Sequence, residues 1–116
     1  PVIDNLEKIL EGFDKQELLH TPDAREHYSN LAMSLGGIVI QRVSKKEYGL
    51  YVKEQILDPL GMASSTFDDS SVTNKAIGYS RNTSIGRIPN EFVQMGAAIG
   101  KPAAGLKSNI QDLYTM

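Results

Sequence analysis

With 116 residues, 41% of them apolar and 22% charged, the chain suffices for one domain around one modest core and is too apolar to be disordered. A formal net charge of −2 and a pI near 5.6 exclude the clustered Lys and Arg of a phosphate-backbone footprint, since the only basic cluster is Lys45-Lys46. Zero Cys excludes a disulfide framework and thiolate-bound metal, and no apolar run approaches the roughly 18 residues of a membrane span.

The first residue is Pro1 and no signal-peptide pattern precedes it, so the chain is expected to be a piece of something longer, a single partial domain over 1–116. Ile3, Leu6, Ile9, Leu10 and Phe13 are spaced for one face of a short helix near 2–13. Asp14 and Glu17 form a capping-box pattern ahead of Leu18-Leu19. The stretch from His20 to His27 contains Pro22 and reads as loop.

A helix is expected near 30–43, with Ser29 or Asn30 accepting from its orphan backbone N–H groups. Its apolar residues, from Leu31 to Val43, surround nearly the whole circumference, which predicts a buried central helix. Gly36-Gly37 in its middle costs about 1 kcal/mol per Gly against Ala, and close approach by another backbone is the expected compensation. Ser44 with Glu47 predicts a capped helix over 45–57, stopped by Pro59 and Gly61. The span 63–102 reads as a long irregular connection with a short strand pair around Ala76–Tyr79 and Gly86–Pro89. So long a connection argues that partner segments are missing. Ser108 with Gln111 predicts a last helix over 109–116.

Tyr28-Ser29-Asn30 is the one constellation with chemistry in it: a phenol and a carboxamide two residues apart at a loop-to-helix junction. A phenol becomes a base only where cations stabilise its anion, and an Asn suits a substrate amide. Tyr28-Ser29-Asn30-Leu31-Ala32, followed by Leu35-Gly36-Gly37-Ile38 and Val43-Ser44, resembles the segment carrying the Y-x-N motif of class C β-lactamases. Related penicillin-binding proteins, D-aminopeptidases and esterases share it. Tyr51-Val52-Lys53-Glu54 into Ile56–Met62, then Thr66-Phe67, Ile77-Gly78-Tyr79 and Ala104–Ser108 with Asp112-Leu113, continue the resemblance in order.

The resemblance implies a mainly α segment, the helical lobe of the β-lactamase/transpeptidase-like α+β fold, with the antiparallel sheet lobe largely absent. It implies that Tyr28 shuttles a proton in acyl transfer and that Asn30 orients the motif Lys and binds the acyl amide. It implies a peptide, ester or β-lactam substrate, no cofactor or metal, and a periplasmic, secreted or envelope-anchored parent. The family's usual Pro-Gly before the Tyr is here Asp23-Ala24-Arg25, and its Gly-Gly near the end is Ala104-Gly105.

No Lys has a Ser three residues before it, and no Lys or His opens a K-[ST]-G or H-x-G triplet. The nucleophile motif S-x-x-K and the third family element are therefore absent from these residues, and the isolated piece is expected to be inactive and to self-associate through exposed apolar surface. The alternative function is a non-catalytic binding or scaffolding module of the same fold. Other hints fail on spacing. Gly96 to Lys101 is one residue short of a phosphate loop, and Asn82 stands where a nucleophile elbow needs Gly. Asn82-Thr83-Ser84 is a glycosylation acceptor pattern. His20 and His27 read as solvated loop residues, Asp68-Asp69 as a polar turn, and Ser29 as a cap.

Overall fold

The computed structural model describes residues 6–82, 86–90 and 97–116. The described residues are mainly helical, in agreement with the fold class expected above. Val2 and Ile3 of the expected first helix, Thr83 and Ser84 of the acceptor pattern, and Gly96 lie outside them.

α1 (Asn30–Ser44) is the frame. The Ser29 side chain accepts from the Ala32 N–H at 3.1 Å, satisfying one of the first-turn donors. At the other end Lys45, in the left-handed region at φ 59, closes the helix by donating its N–H to the Gln41 carbonyl. Ser34, Gly37 and Ile38 are its buried residues, one stripe at i, i+3, i+4 spacing. Met33, Val39 and Val43 stay exposed, Val43 at 80%. The expectation of a helix buried all round is thus corrected: among the described residues a 3₁₀ turn and the helices Tyr48–Val52 and Ala97–Ala104 cover one side of it.

The 3₁₀ turn is Leu6–Leu10, tighter and shorter than the predicted helix, and a second such turn spans Phe13–Lys15. Leu6 is buried, and Glu7 accepts both guanidinium bonds of Arg42 at 3.0 and 2.6 Å. The Arg42 hydrogen bonds hold the Glu7 carboxyl below the usual carboxylate range. No helix opens at Asp14, because Gly12 at φ 83 and the extended Gln16 bound a single turn there.

The expected helix over 45–57 divides. α2 (Tyr48–Val52) begins three residues later than the Ser44 cap predicted. With Lys45 left-handed, the cap falls to Glu47, whose carboxylate accepts from the Leu50 N–H at 2.9 Å. Lys53–Leu57 then widens into a π turn, with Asp58 N–H donating to the Lys53 carbonyl. Val52 and Leu57 from these turns meet Met62 in a core cluster, with Tyr48 and Phe67 packed against it edge-to-face, ring centroids 5.6 Å apart. Gly61 at φ 70 ends the segment, and the Met62 N–H returns to the Leu57 carbonyl.

The span 63–102, expected to be irregular apart from one short strand pair, carries that pair and further structure as well. Asp68 accepts from the Ser70 N–H and hydroxyl, opening a 3₁₀ turn at Asp69–Ser71. β1 (Gly78–Asn82) pairs antiparallel with β2 (Gly86–Asn90), with Gly78 opposite Asn90. α3 (Ala97–Ala104) is a helix where a loop was expected, with Pro102 inside it. Its anchor is α1: a Cβ on Gly37 would lie 2.3 Å from the Pro102 Cγ. The glycine makes room for the proline ring and Leu6, so the approach is by side chains rather than by a second backbone.

α4 (Ile110–Thr115) is capped by Asn109, not Ser108, through its side-chain oxygen and the Asp112 N–H at 2.9 Å. Ser108 is taken by Ser65, with 2.7 Å between their hydroxyls. Thr66 and Lys107 exchange both backbone hydrogen bonds, at 2.9 and 2.8 Å. The chain's accessible surface is 9428 Å², against about 6200 Å² expected for a globular monomer of this mass.

Candidate active site

Ser29 builds the junction. It is extended at φ −143, ψ 109, while Asn30 is already helical, so the chain turns sharply between Tyr28 and the first helical turn. Asn30 is exposed, and its carbonyl accepts from the buried Ser34 hydroxyl at 3.0 Å, which ties the first turn to the packed face. Tyr28 is 86% exposed. Both candidates thus sit in solvent at the start of a capped helix. Before them, Asp23 is left-handed at φ 68 and the Ala24 N–H donates to the Thr21 carbonyl, which folds the loop back. The rings of His20 and His27 then lie 5.6 Å apart at 46°. Among the described residues no group of three metal-ligating side chains occurs.

A cleft of about 1060 Å³ lies elsewhere, between α2, the 65–78 segment and the turn from α3 to α4. Neither Tyr28 nor Asn30 lines it. Two polar clusters that sequence reasoning missed frame it. In the first, Lys101 of α3 donates to the Glu47 carboxylate at 2.8 Å. Partial burial opposes ionisation of Glu47, but the hydrogen bonds from Lys101 and from the Leu50 and Gly49 N–H groups outweigh it and hold the carboxyl below its ordinary value. Such a group contributes stability in full above the unfolded pKa of about 4.3 and loses it as pH falls through the lower folded value. Glu47→Gln is expected to flatten the acid limb of stability against pH in urea titrations. An unaltered limb would remove Glu47 from that role.

The second cluster is Asp112, 8% exposed. Its carboxylate accepts from the Ser64 N–H at 2.9 Å and the Ser65 hydroxyl at 2.8 Å. Glu47 was expected as the partner of a Ser44 cap rather than as the cap itself, and no local pattern announces a contact between residues 47 apart.

A family model described as Beta-lactamase matches residues 2–116. Among curated proteins, "Protein flp" of Staphylococcus aureus (strain MW2) is 40% identical over 65 residues, 54% of this chain and 13% of its own length. "Beta-lactamase-like protein 2" of Dictyostelium discoideum is 43% identical over 61 residues, 53% of this chain and 11% of its own. Among solved structures, the octameric penicillin-binding protein homologue from Pyrococcus abyssi superposes with a TM-score of 0.79 at 30% identity over 99% of this chain. D-amino acid amidase from Ochrobactrum anthropi SV3, complexed with D-phenylalanine, gives 0.73 at 20% identity over 96%. The chain covers 26% and 35% of those two structures, so it spans about a quarter to a third of their length.

Proposed function

The chain belongs to the Beta-lactamase family, and from that premise we propose that it is the helical lobe of a serine acyl hydrolase acting on β-lactams, D-amino-acid peptides or esters. The Ser of an S-x-x-K motif, supplied by polypeptide outside these residues, attacks the substrate carbonyl. Tyr28 accepts the hydroxyl proton and passes it to the leaving group, and water then releases the acyl-enzyme. Asn30 orients the Lys of that motif and the acyl amide. The observation that supports this reading is the Ser29 cap, which closes the first helical turn around Asn30 directly after Tyr28, with both candidates exposed to solvent. The exposed apolar residues of α1 fit a parent in which other segments, or a second copy, cover them.

The test offers labelled penicillin, a nitrophenyl ester and a D-amino acid amide to the full-length protein and to its Tyr28→Phe variant. A loss of roughly 10²–10⁴-fold in kcat/KM is expected with folding intact, and no turnover by residues 1–116 alone. Equal rates for the two full-length proteins would remove Tyr28 from the mechanism. The second reading, a non-catalytic module, is favoured by the absence of S-x-x-K from these residues. Turnover of none of the three substrates by the full-length protein would support it.

A further inference from the structure

The chain's 2 histidines, His20 and His27, come together in the loop that leads into α1. The Ala24 N–H donates to the Thr21 carbonyl at 3.1 Å and Asp23 is left-handed at φ 68, so the backbone reverses between the two side chains. Their ring centroids are 5.6 Å apart. Tyr48 and Phe67 stand at the same separation for a different reason. That pair meets edge-to-face at 72° and packs against the apolar core, the arrangement that burial and ring quadrupoles favour. His20 and His27 are both exposed, and their 46° tilt is neither stacked nor edge-to-face. Ring packing therefore does not account for the pairing. Neither imidazole makes a hydrogen bond or an ion pair with another described residue, so each keeps a ring nitrogen lone pair open.

We propose that His20 and His27 form a binding site for a divalent transition metal of borderline softness, Zn²⁺ or Cu²⁺, held by one ring nitrogen from each. The separation fits a shared ion. With a metal–nitrogen bond of about 2.0–2.1 Å and ~1.1 Å from ring nitrogen to ring centre, a tetrahedral ion places two imidazole centroids roughly 5.2 Å apart. The observed 5.6 Å is within about 0.4 Å of that value. Imidazole suits Zn²⁺ and Cu²⁺, whereas Mg²⁺ and Ca²⁺ seek oxygen ligands. No third His, Cys, Asp or Glu joins the pair among the described residues. The remaining positions of the ion therefore fall to water or an exchangeable ligand, unlike the closed four-ligand set of a structural zinc. His27 directly precedes Tyr28, so an occupied site fastens the loop in front of the candidate junction. Binding itself is independent of the acyl-transfer reading.

Calorimetric titration with Zn²⁺ and with Mg²⁺ compares the full-length protein with its His20→Gln, His27→Gln and His27→Phe variants. The original protein is expected to bind an equivalent of Zn²⁺ that each variant weakens by at least about tenfold, and Mg²⁺ shows no such equivalent. His27→Phe keeps a ring beside His20 and removes only the ligand, so its affinity falls as far as that of His27→Gln. Electron paramagnetic resonance with Cu²⁺ gives a second readout: nitrogen couplings from two imidazoles, reduced to one in either Gln variant. Thermal melting by circular dichroism checks that each variant folds, and Asn replaces Gln at a position where it does not. Zn²⁺ affinity unaltered by loss of either histidine, affinity retained in His27→Phe, equal binding of Mg²⁺, or a Cu²⁺ spectrum without paired imidazole nitrogens each overturns the proposal.

Discussion

Gly37→Ala is expected to destabilise the fold by roughly 1–3 kcal/mol, while Gly36→Ala, one residue away on the same helix, stabilises it by about 0.5–1 kcal/mol. Both changes relieve the same backbone entropy and gain the same helix propensity. Their surroundings differ. At Gly36 an added Cβ meets nothing within 4 Å. At Gly37 it lies 2.3 Å from the Pro102 Cγ, 2.9 Å from its Cβ and 3.3 Å from Leu6. A pyrrolidine ring cannot swing aside as a long flexible chain does, so α3 must move away from α1. Urea unfolding of the two variants gives the sign of each effect. Gly37→Ala as stable as the original would mean that α3 docks loosely.

Asp112→Ala is expected to cost about 2–4 kcal/mol, because it strands two donors, the Ser64 N–H and the Ser65 hydroxyl, where water has little access. Asp112→Asn keeps one acceptor oxygen and should cost about half as much. The contrast is Lys53–Asp58, whose contacts at 2.5 and 2.7 Å are at least as short. Both partners there are more than half exposed, so Asp58→Ala should cost less than about 1 kcal/mol. Burial, not distance, decides between them. Amide exchange at Thr66 and Lys107 offers a second measure, since losing the carboxylate loosens the bridge beside it. Unchanged exchange there, with unchanged stability, would show that the Asp112 contacts contribute nothing.

What could be read from residue order follows from the range of the interactions. The Ser29 cap, the Gly61 stop and the polar turn at Asp68 are settled within four residues of themselves, and each has a side-chain or φ requirement visible in the sequence. The mainly helical character and the family resemblance were legible for the same reason. α3 was not: its start is a run of small residues and Pro102 counts against a helix, yet docking of that proline into the Gly37 gap stabilises it there. The caps at Glu47 and Asn109 were displaced from Ser44 and Ser108 by competing partners. Lys45 turns left-handed, and Ser108 goes to Ser65. The Asp112 contacts and the cleft arise from segments 40 or more residues apart, beyond any local pattern. At the candidate junction, residue order shows which groups are present and says nothing of what they face in space.

The paired backbone bonds between Thr66 and Lys107 have a bearing on how related chains diverge. They clamp the neck of an excursion whose far part touches the α1 frame through α3. Lengthening a tethered excursion is thermodynamically mild, about 0.6 kcal/mol for each doubling. Segments grafted between Val72 and Gly78 would therefore be tolerated by the frame while reshaping one rim of the cleft. The Ser29 cap and the first turn of α1, remote from that rim, would keep their geometry through such changes.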